Sequence, residues 1–363
     1  MQSLYLPIVC LLLFFFIGCT EQEESVVSLE ASSVLTEHSQ IDLEETDDRF
    51  IGLIRSLSVG LDPFRLYIVD REMHRVAVVD SSGSIVDFIG SEGQGPGEFQ
   101  SPTRAVQVGD SLWVEDGAST QVSVFTPEGV FERRATPETG PGGVGTLTAF
   151  EDRGYRAVFL QSSVAEGFQA SPELQVAARL DDTFDVAQAF GAFPPLYQED
   201  EYTQRLAKLD INRHGIAALG FNLVLNVHLH DLNDQGYPEV KRVQFDHEAF
   251  EKIDQPLPLG MTPEESAAIA HKRSEVVQTH LLSDTTVIQT FDNRTEAFHA
   301  EMGVPDRDEQ TFYAALKHVH SGTTENVKLP GPILARDDND RLYIELNHRP
   351  DERTIGVYEV NWP

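Results

Sequence analysis

Short apolar runs separated by polar turns dominate the chain after residue 50, and one local pattern returns along it. Arg65-Leu66-Tyr67-Ile68-Val69-Asp70 and Ser111-Leu112-Trp113-Val114-Glu115-Asp116 lie 46 residues apart. The same offset carries Val76-Ala77-Val78 onto Val122-Ser123-Val124 and Gly83 onto Gly129, and an offset of 45 carries Gly95-Pro96-Gly97 onto Gly140-Pro141-Gly142. Each unit reads as β-branched or aromatic strands divided by Asp, Ser and Gly turns, at Asp70 to His74 and at Ser81-Ser82-Gly83, with an outer strand over Ile85 to Ile89. Four strands in roughly 40 to 50 residues is the period of a propeller blade. Such a blade cannot bury both faces alone, so several must stack around an axis.

The segment Gly90 to Pro102, with Gly93, Gly95-Pro96-Gly97 and Phe99, resembles the blade-to-blade joint of NHL-repeat propellers, and the chain resembles the bacterial six-bladed β-propeller lipoproteins. In such a joint the glycines permit positive φ, Pro96 fixes a turn and Phe99 wedges between adjacent sheets. Block counting places blades at about 53–89, 103–135, 145–190, 209–245, 276–329 and 333–360. The last block has three strands, around Arg341-Leu342-Tyr343-Ile344-Glu345 and Gly356 to Val360. Its missing outer strand is expected from Val34 to Leu43, because a closed ring leaves no exposed edge. One segment departs from the β pattern. Thr262-Pro263-Glu264-Glu265 looks like an N-cap with proline at the first helical position, and predicts a helical insertion near 262–282, over one mouth of the ring or on its rim. The expected fold is an all-β, six-bladed β-propeller with an N-terminal strand closing the last blade and this one helical insertion.

Ahead of the repeats, Leu4 to Ile17 is an apolar run of signal-peptide length, shorter than a bilayer-spanning helix. It ends in Phe16-Ile17-Gly18-Cys19, which resembles a bacterial lipobox, although the n-region Met1-Gln2-Ser3 carries no basic residue and Phe16 stands where leucine is usual. The resemblance implies cleavage after residue 18 and lipid attachment at Cys19, with Thr20 pointing to the outer membrane or cell surface. Residues 19–33, acidic and serine-rich, read as a tether, and 34–363 as the propeller.

The charge and cysteine counts narrow the chemistry. Fifty-nine acids against 27 bases give a formal charge of −32, which disfavours nucleic acid and anionic headgroups as partners. Arginine outnumbers lysine 21 to 6 and the acid excess is spread along the chain, a pattern similar to that of proteins adapted to high salt. The two cysteines, Cys10 and Cys19, both lie in the leader region, so the body has no thiol for a disulfide, a cysteine-ligated metal or a nucleophile. Two His-x-His pairs, His228 with His230 and His318 with His320, could each present two imidazoles on one strand face. The resemblance to NHL-type propeller enzymes that hold a metal at the mouth makes them weak metal candidates. Their expected positions on third strands, away from the channel, favour ordinary solvated strand residues. Asp70 and Asp116 recur at one blade position and read as turn acceptors, not catalytic groups. Asp337-Asp338-Asn339-Asp340 reads as a hairpin turn, lacking the spacing of a calcium loop, and Asn293-Arg294-Thr295 matches a sequon of little meaning in a bacterial lipoprotein. No nucleophile elbow, P-loop or zincin motif is present. The sequence therefore predicts a monomeric binding or scaffolding module held to the membrane by its N-terminal lipid, with an envelope protein or small molecule as partner and no cofactor. The alternative is a metal-dependent hydrolase or lyase acting on a small molecule in the central channel.

Overall fold

The computed structural model describes residues 34–61, 63–136, 146–157, 159–161, 175–198, 204–252, 273–283, 285–294, 310–349 and 352–361. Six sheets of this chain form six blades. Strand β1 (Leu35–Asp42) comes first in sequence and belongs to the last blade. Blade one is β2 (Ile54–Leu61), β3 (Phe64–Asp70), β4 (Arg75–Val79) and β5 (Ile85–Ile89). Blade two is β6 (Pro102–Val108), β7 (Ser111–Asp116), β8 (Gln121–Phe125) and β9 (Phe131–Ala135). Blade three is β10 (Leu147–Phe150), β11 (Arg153–Ala157), β13 (Gln175–Leu180) and β14 (Val186–Ala192), with a short β12 (Phe159–Gln161) between its second and third strands in sequence. Blade four is β15 (Gln204–Ile211), β16 (Ile216–Phe221), β17 (Val224–Asp231) and β18 (Glu239–Gln244). Blade five is β19 (Glu275–Leu282), β20 (Thr286–Arg294), β21 (Gln310–His318) and β22 (Thr324–Lys328). Blade six is β23 (Ile333–Arg336), β24 (Leu342–Asn347) and β25 (Thr354–Val360), completed by β1.

Middle strands are buried on both faces because each blade is sandwiched by its neighbours, and this is why β3 and β4 read as near-continuous apolar runs. The closing strand pairs antiparallel with β25, from Leu35 opposite Val360 to Asp42 opposite Thr354. Ile41 and Leu43 thereby join the core shared by blades six and one. Ring closure by the N-terminal strand is therefore as the sequence predicts.

The joint after blade one is also as expected. Phe99 is fully buried between blades one and two, 5.8 Å from the Phe125 ring. Gly90 makes room for it: at φ +81, a Cβ there would stand 2.2 Å from the Phe99 ring. Gly97 has φ +78, the Glu98 carboxylate accepts from the Gly95 amide at 2.7 Å, and Arg134 of β9 donates to the carbonyls of Gly95 and Glu98. Pro96 sits inside this clasp. The parallel joint Gly140-Pro141-Gly142 lies outside the described residues.

Two features differ from the sequence reading. The helix expected over 262–282 does not extend to Leu282, because residues 275–282 are β19, the inner strand of blade five. β-branched Val276, Val277 and Thr279 suit a strand, and pairing with β20 from Glu275 to Leu282 decides it over the cap signals upstream. Residues 262–272 lie outside the described residues. The second feature is β12, which pairs with β15 instead of its own blade. Since β15 bonds β16 along its other edge, β12 occupies the axial edge, inside the ring beside Gln204, Arg205 and Leu206. Blade four accordingly begins at Gln204, ahead of the expected 209.

Candidate functional site

Inner strands of a propeller alternate between the blade core and the axis. In β15, Ala207, Leu209 and Ile211 enter the core, which leaves Lys208 and Asp210 on the axial face. In β6, Ala105 and Val108 are core residues and Arg104 and Val106 line the channel. The resulting cavity has a volume of about 570 Å³ and is walled by the inner strands of all six blades near their C-terminal ends. Its mouth is thus the face carrying the hairpins from first to second strands. The opposite end is where β12 runs along Gln204 to Leu206.

Mouth hairpins are bound to one another. Asn212 donates to the Ser283 carbonyl, and Ser283 donates from its amide at 3.0 Å and its hydroxyl at 2.7 Å to the Asp340 carboxylate. Asp337 accepts from the amides of Asn339 and Arg341, both at 2.9 Å, and from the Tyr343 hydroxyl. The Asp337 to Asp340 run is therefore a hairpin clasp, as its sequence suggests. Across the channel, Arg336 grips Asp210 through Nε at 2.9 Å and Nη2 at 3.2 Å, and also donates to the Ile211 carbonyl. Burial alone would raise the Asp210 pKa, but the Arg336 charge and the hydrogen bonds from Arg336 and the Leu281 amide outweigh it and hold the carboxyl low. His280 is buried at 5% exposure; burial pushes it down to about 4, so it stands neutral beside Asp210 with Nε2 unpartnered.

Two further cations, Arg104 on the cavity lining and Lys208 on the axial face of β15, have no such partner. Neither Arg104 nor Lys208 donates a hydrogen bond or forms an ion pair among the described residues, and Arg104 Nε is buried unpartnered. Both are half-buried. Burial lowers both pKa values; Asp210 and Glu115 partly offset it for Arg104, and Glu275 and Asp292 for Lys208. Arg55 and Arg104 depress Lys208 further by like-charge repulsion. Behind Arg104, Glu115 pairs with Arg156 of blade three at 2.8 Å in a fully buried contact, and burial lifts Glu115 to about 7 against that attraction.

Residues 19–106 match a family model described as a 6-bladed beta-propeller. No curated protein matches the sequence. Among solved structures the chain is similar to a member of the DUF4221 family from Bacteroides vulgatus, with TM-score 0.67 and 13% identity over 90% of this chain and 98% of that one. It is also similar to a putative exported protein from Bacteroides fragilis, with TM-score 0.60 and 12% identity over 92% and 98% of the two chains. At such identities the likeness is one of fold.

The histidines singled out by sequence lie elsewhere. His228 and His230 are on β17, a third strand, as expected, but they are buried at 3% exposure each, not solvated. Their rings meet Phe221 and Phe190 edge-on, at 5.1 and 5.2 Å, between blades three and four. Burial lowers both pKa values, His228 to about 4 despite Glu239 at 3.3 Å. His318 ends β21 and packs 6.0 Å from the exposed His320. The pairs sit on different blades, and among the described residues no three His, Cys, Asp or Glu side chains gather as metal ligands. They do not fit a metal held at the mouth. Asp70 and Asp116 are turn acceptors: Asp70 receives the amides of Gly52 and Leu53, and Asp116 those of Gln100 and Ser101, each tying a second-strand end to the preceding joint. Cys19 and Thr295 lie outside the described residues, while Asn293 of the sequon is in β20, where its side chain accepts from the Ser274 hydroxyl at 2.5 Å and donates to the Ala249 carbonyl at 2.8 Å. Sequence reading missed Arg104, Lys208, Asp210, His280 and Arg336. The signal was present in Lys208-Leu209-Asp210-Ile211, where charges alternate with core residues in an inner strand.

Proposed function

We propose that the protein is a lipid-anchored envelope module that binds a small molecule in the mouth of its central channel. One observation carries this reading: a cavity of about 570 Å³, within the usual range of small-molecule sites, is walled by all six blades and polar along its lining. A scaffold using only its outer faces gains nothing from ionisable groups aimed into the axis, where their burial costs stability. Bonds among the mouth hairpins and the Arg336 to Asp210 pair hold the walls before a ligand arrives, which lowers the entropic cost of binding.

The test is a thermal-shift screen of small metabolites on the full chain in detergent, repeated on two plugged variants, Thr148→Trp from blade three and Ser58→Trp from blade one. Compounds that stabilise the parent should bind at least about tenfold more weakly to both plugged proteins, a loss of about 1.4 kcal/mol or more. Ligands that bind both plugged variants as they bind the parent would place the site outside the channel and end this reading.

A further inference from the structure

Glu151, Asp152 and Asp338 line the cavity from its exposed mouth hairpins, but deeper in, two cations of the inner strands have no carboxylate partner. Asp210 is committed to Arg336, Glu115 to Arg156, and Asp292 accepts from Gln310 at 2.5 Å. Glu275 acts on Lys208 from the start of β19 without forming an ion pair with it. Arg104, on the cavity lining, and Lys208, on the axial face of β15 and close enough to Arg104 to feel its charge, therefore have no anion within 4.0 Å of either among the described residues. This occurs in a chain of formal charge −32, where a carboxylate could have been supplied almost anywhere. A guanidinium offers a planar fork that matches two oxygens of one group, and an ammonium adds a compact point charge. Leaving both partly desolvated and without an ion-pair partner destabilises the empty fold, so their pairing with something absent from the chain is the economical explanation.

We propose that the channel recognises a small molecule through an oxyanion group, carboxylate or phosphate, seated between Arg104 and Lys208. This rests on the channel-binding reading above and gives it a ligand class. The remainder of such a ligand would lie toward the mouth, along Val106, Gln278 and the neutral His280.

Inorganic phosphate, succinate and uncharged succinamide should be titrated against the full chain in detergent, at ionic strength matched with sodium chloride. Phosphate and succinate separate the two oxyanion geometries; at least one should raise the melting temperature, and succinamide should not. Arg104→Gln and Lys208→Met should each weaken that binding about tenfold to a hundredfold, as expected for losing a charge-assisted contact. Both variants should also melt higher than the parent without ligand, because an unpaired buried charge has gone. A structural role would move that second readout the other way, and ligand-free variants that melt lower overturn the proposal. So does equal binding of succinate, phosphate and succinamide, or undiminished oxyanion binding by the variants. If uncharged compounds bind in a plug-sensitive manner while neither oxyanion does, the oxyanion assignment fails and the channel reading survives. If an oxyanion binds the plugged variants undiminished, both fail.

Discussion

At the scale of single residues, polar groups divide by whether the fold supplies a partner. Asp70 and Asp116 find theirs in backbone amides, and their recurrence in the sequence correctly marks a structural task. Buried histidines are less well provided. Burial holds His228 and His280 near 4 and also lowers His230 and His247. In an unfolded chain these imidazoles take up protons around pH 6.5, whereas the folded protein resists until near pH 4. The unfolded state therefore binds more protons in that window. Stability is full above about pH 6.5 and is lost as pH falls toward 4, by on the order of 1–3 kcal/mol for each strongly shifted histidine. Urea midpoints should be lower at pH 5 than at pH 7, and His228→Phe, which keeps the edge-on contact with Phe221, should flatten part of that slope. An unchanged slope in His228→Phe would show that His228 does not contribute.

At the scale of elements, closure depends on how β1 ends. Gly83, in the hairpin between β4 and β5, has φ +91, and a Cβ there would lie 1.9 Å from the Asp42 carbonyl oxygen. Backbone contacts continue past the strand, with the Glu44 amide donating to the Gly83 carbonyl at 2.9 Å. Gly83→Ala combines backbone strain with a clash against main chain and should destabilise by about 2–3 kcal/mol, with faster hydrogen exchange over residues 35–42. Gly322→Ala is the control: φ is +78 but nothing lies within 4 Å, so only the conformational cost of about 1 kcal/mol applies. Equal losses in the two variants would show that docking of β1 on blade one contributes nothing. Blade boundaries and the donated strand were legible because strand periodicity, turn residues and the three-stranded last block agree with one another. β12 was not legible, since three residues, Phe159 to Gln161, carry no period and their partner is fixed only by the assembled ring. The helix reading failed at 275–282 because a strong local start signal was extended into residues whose state is set by pairing with β20. For the channel, alternation in β15 was visible, but which inner-strand charges are neutralised depends on contacts such as Arg336 to Asp210, 126 residues apart.

At the scale of the whole molecule, charge opposes the membrane attachment we propose. A body in a chain of −32 is repelled by anionic headgroups at low ionic strength, when the Debye length is long. Nothing electrostatic would hold it at a membrane, so the attachment we propose rests on lipid at Cys19. A single acyl chain binds only marginally, while the two or three chains of a lipoprotein anchor are effectively stable. Two results follow together. Labelled palmitate should enter the parent protein and be absent from Cys19→Ala, and a protease site placed within residues 21–33 should release the propeller completely on cleavage, even at low salt. A peripheral protein held by basic patches behaves in the opposite way, remaining bound at low salt and leaving as salt rises. Label persisting in Cys19→Ala would remove the lipid assignment, and a cleaved body that stays bound at low salt would reveal a second attachment.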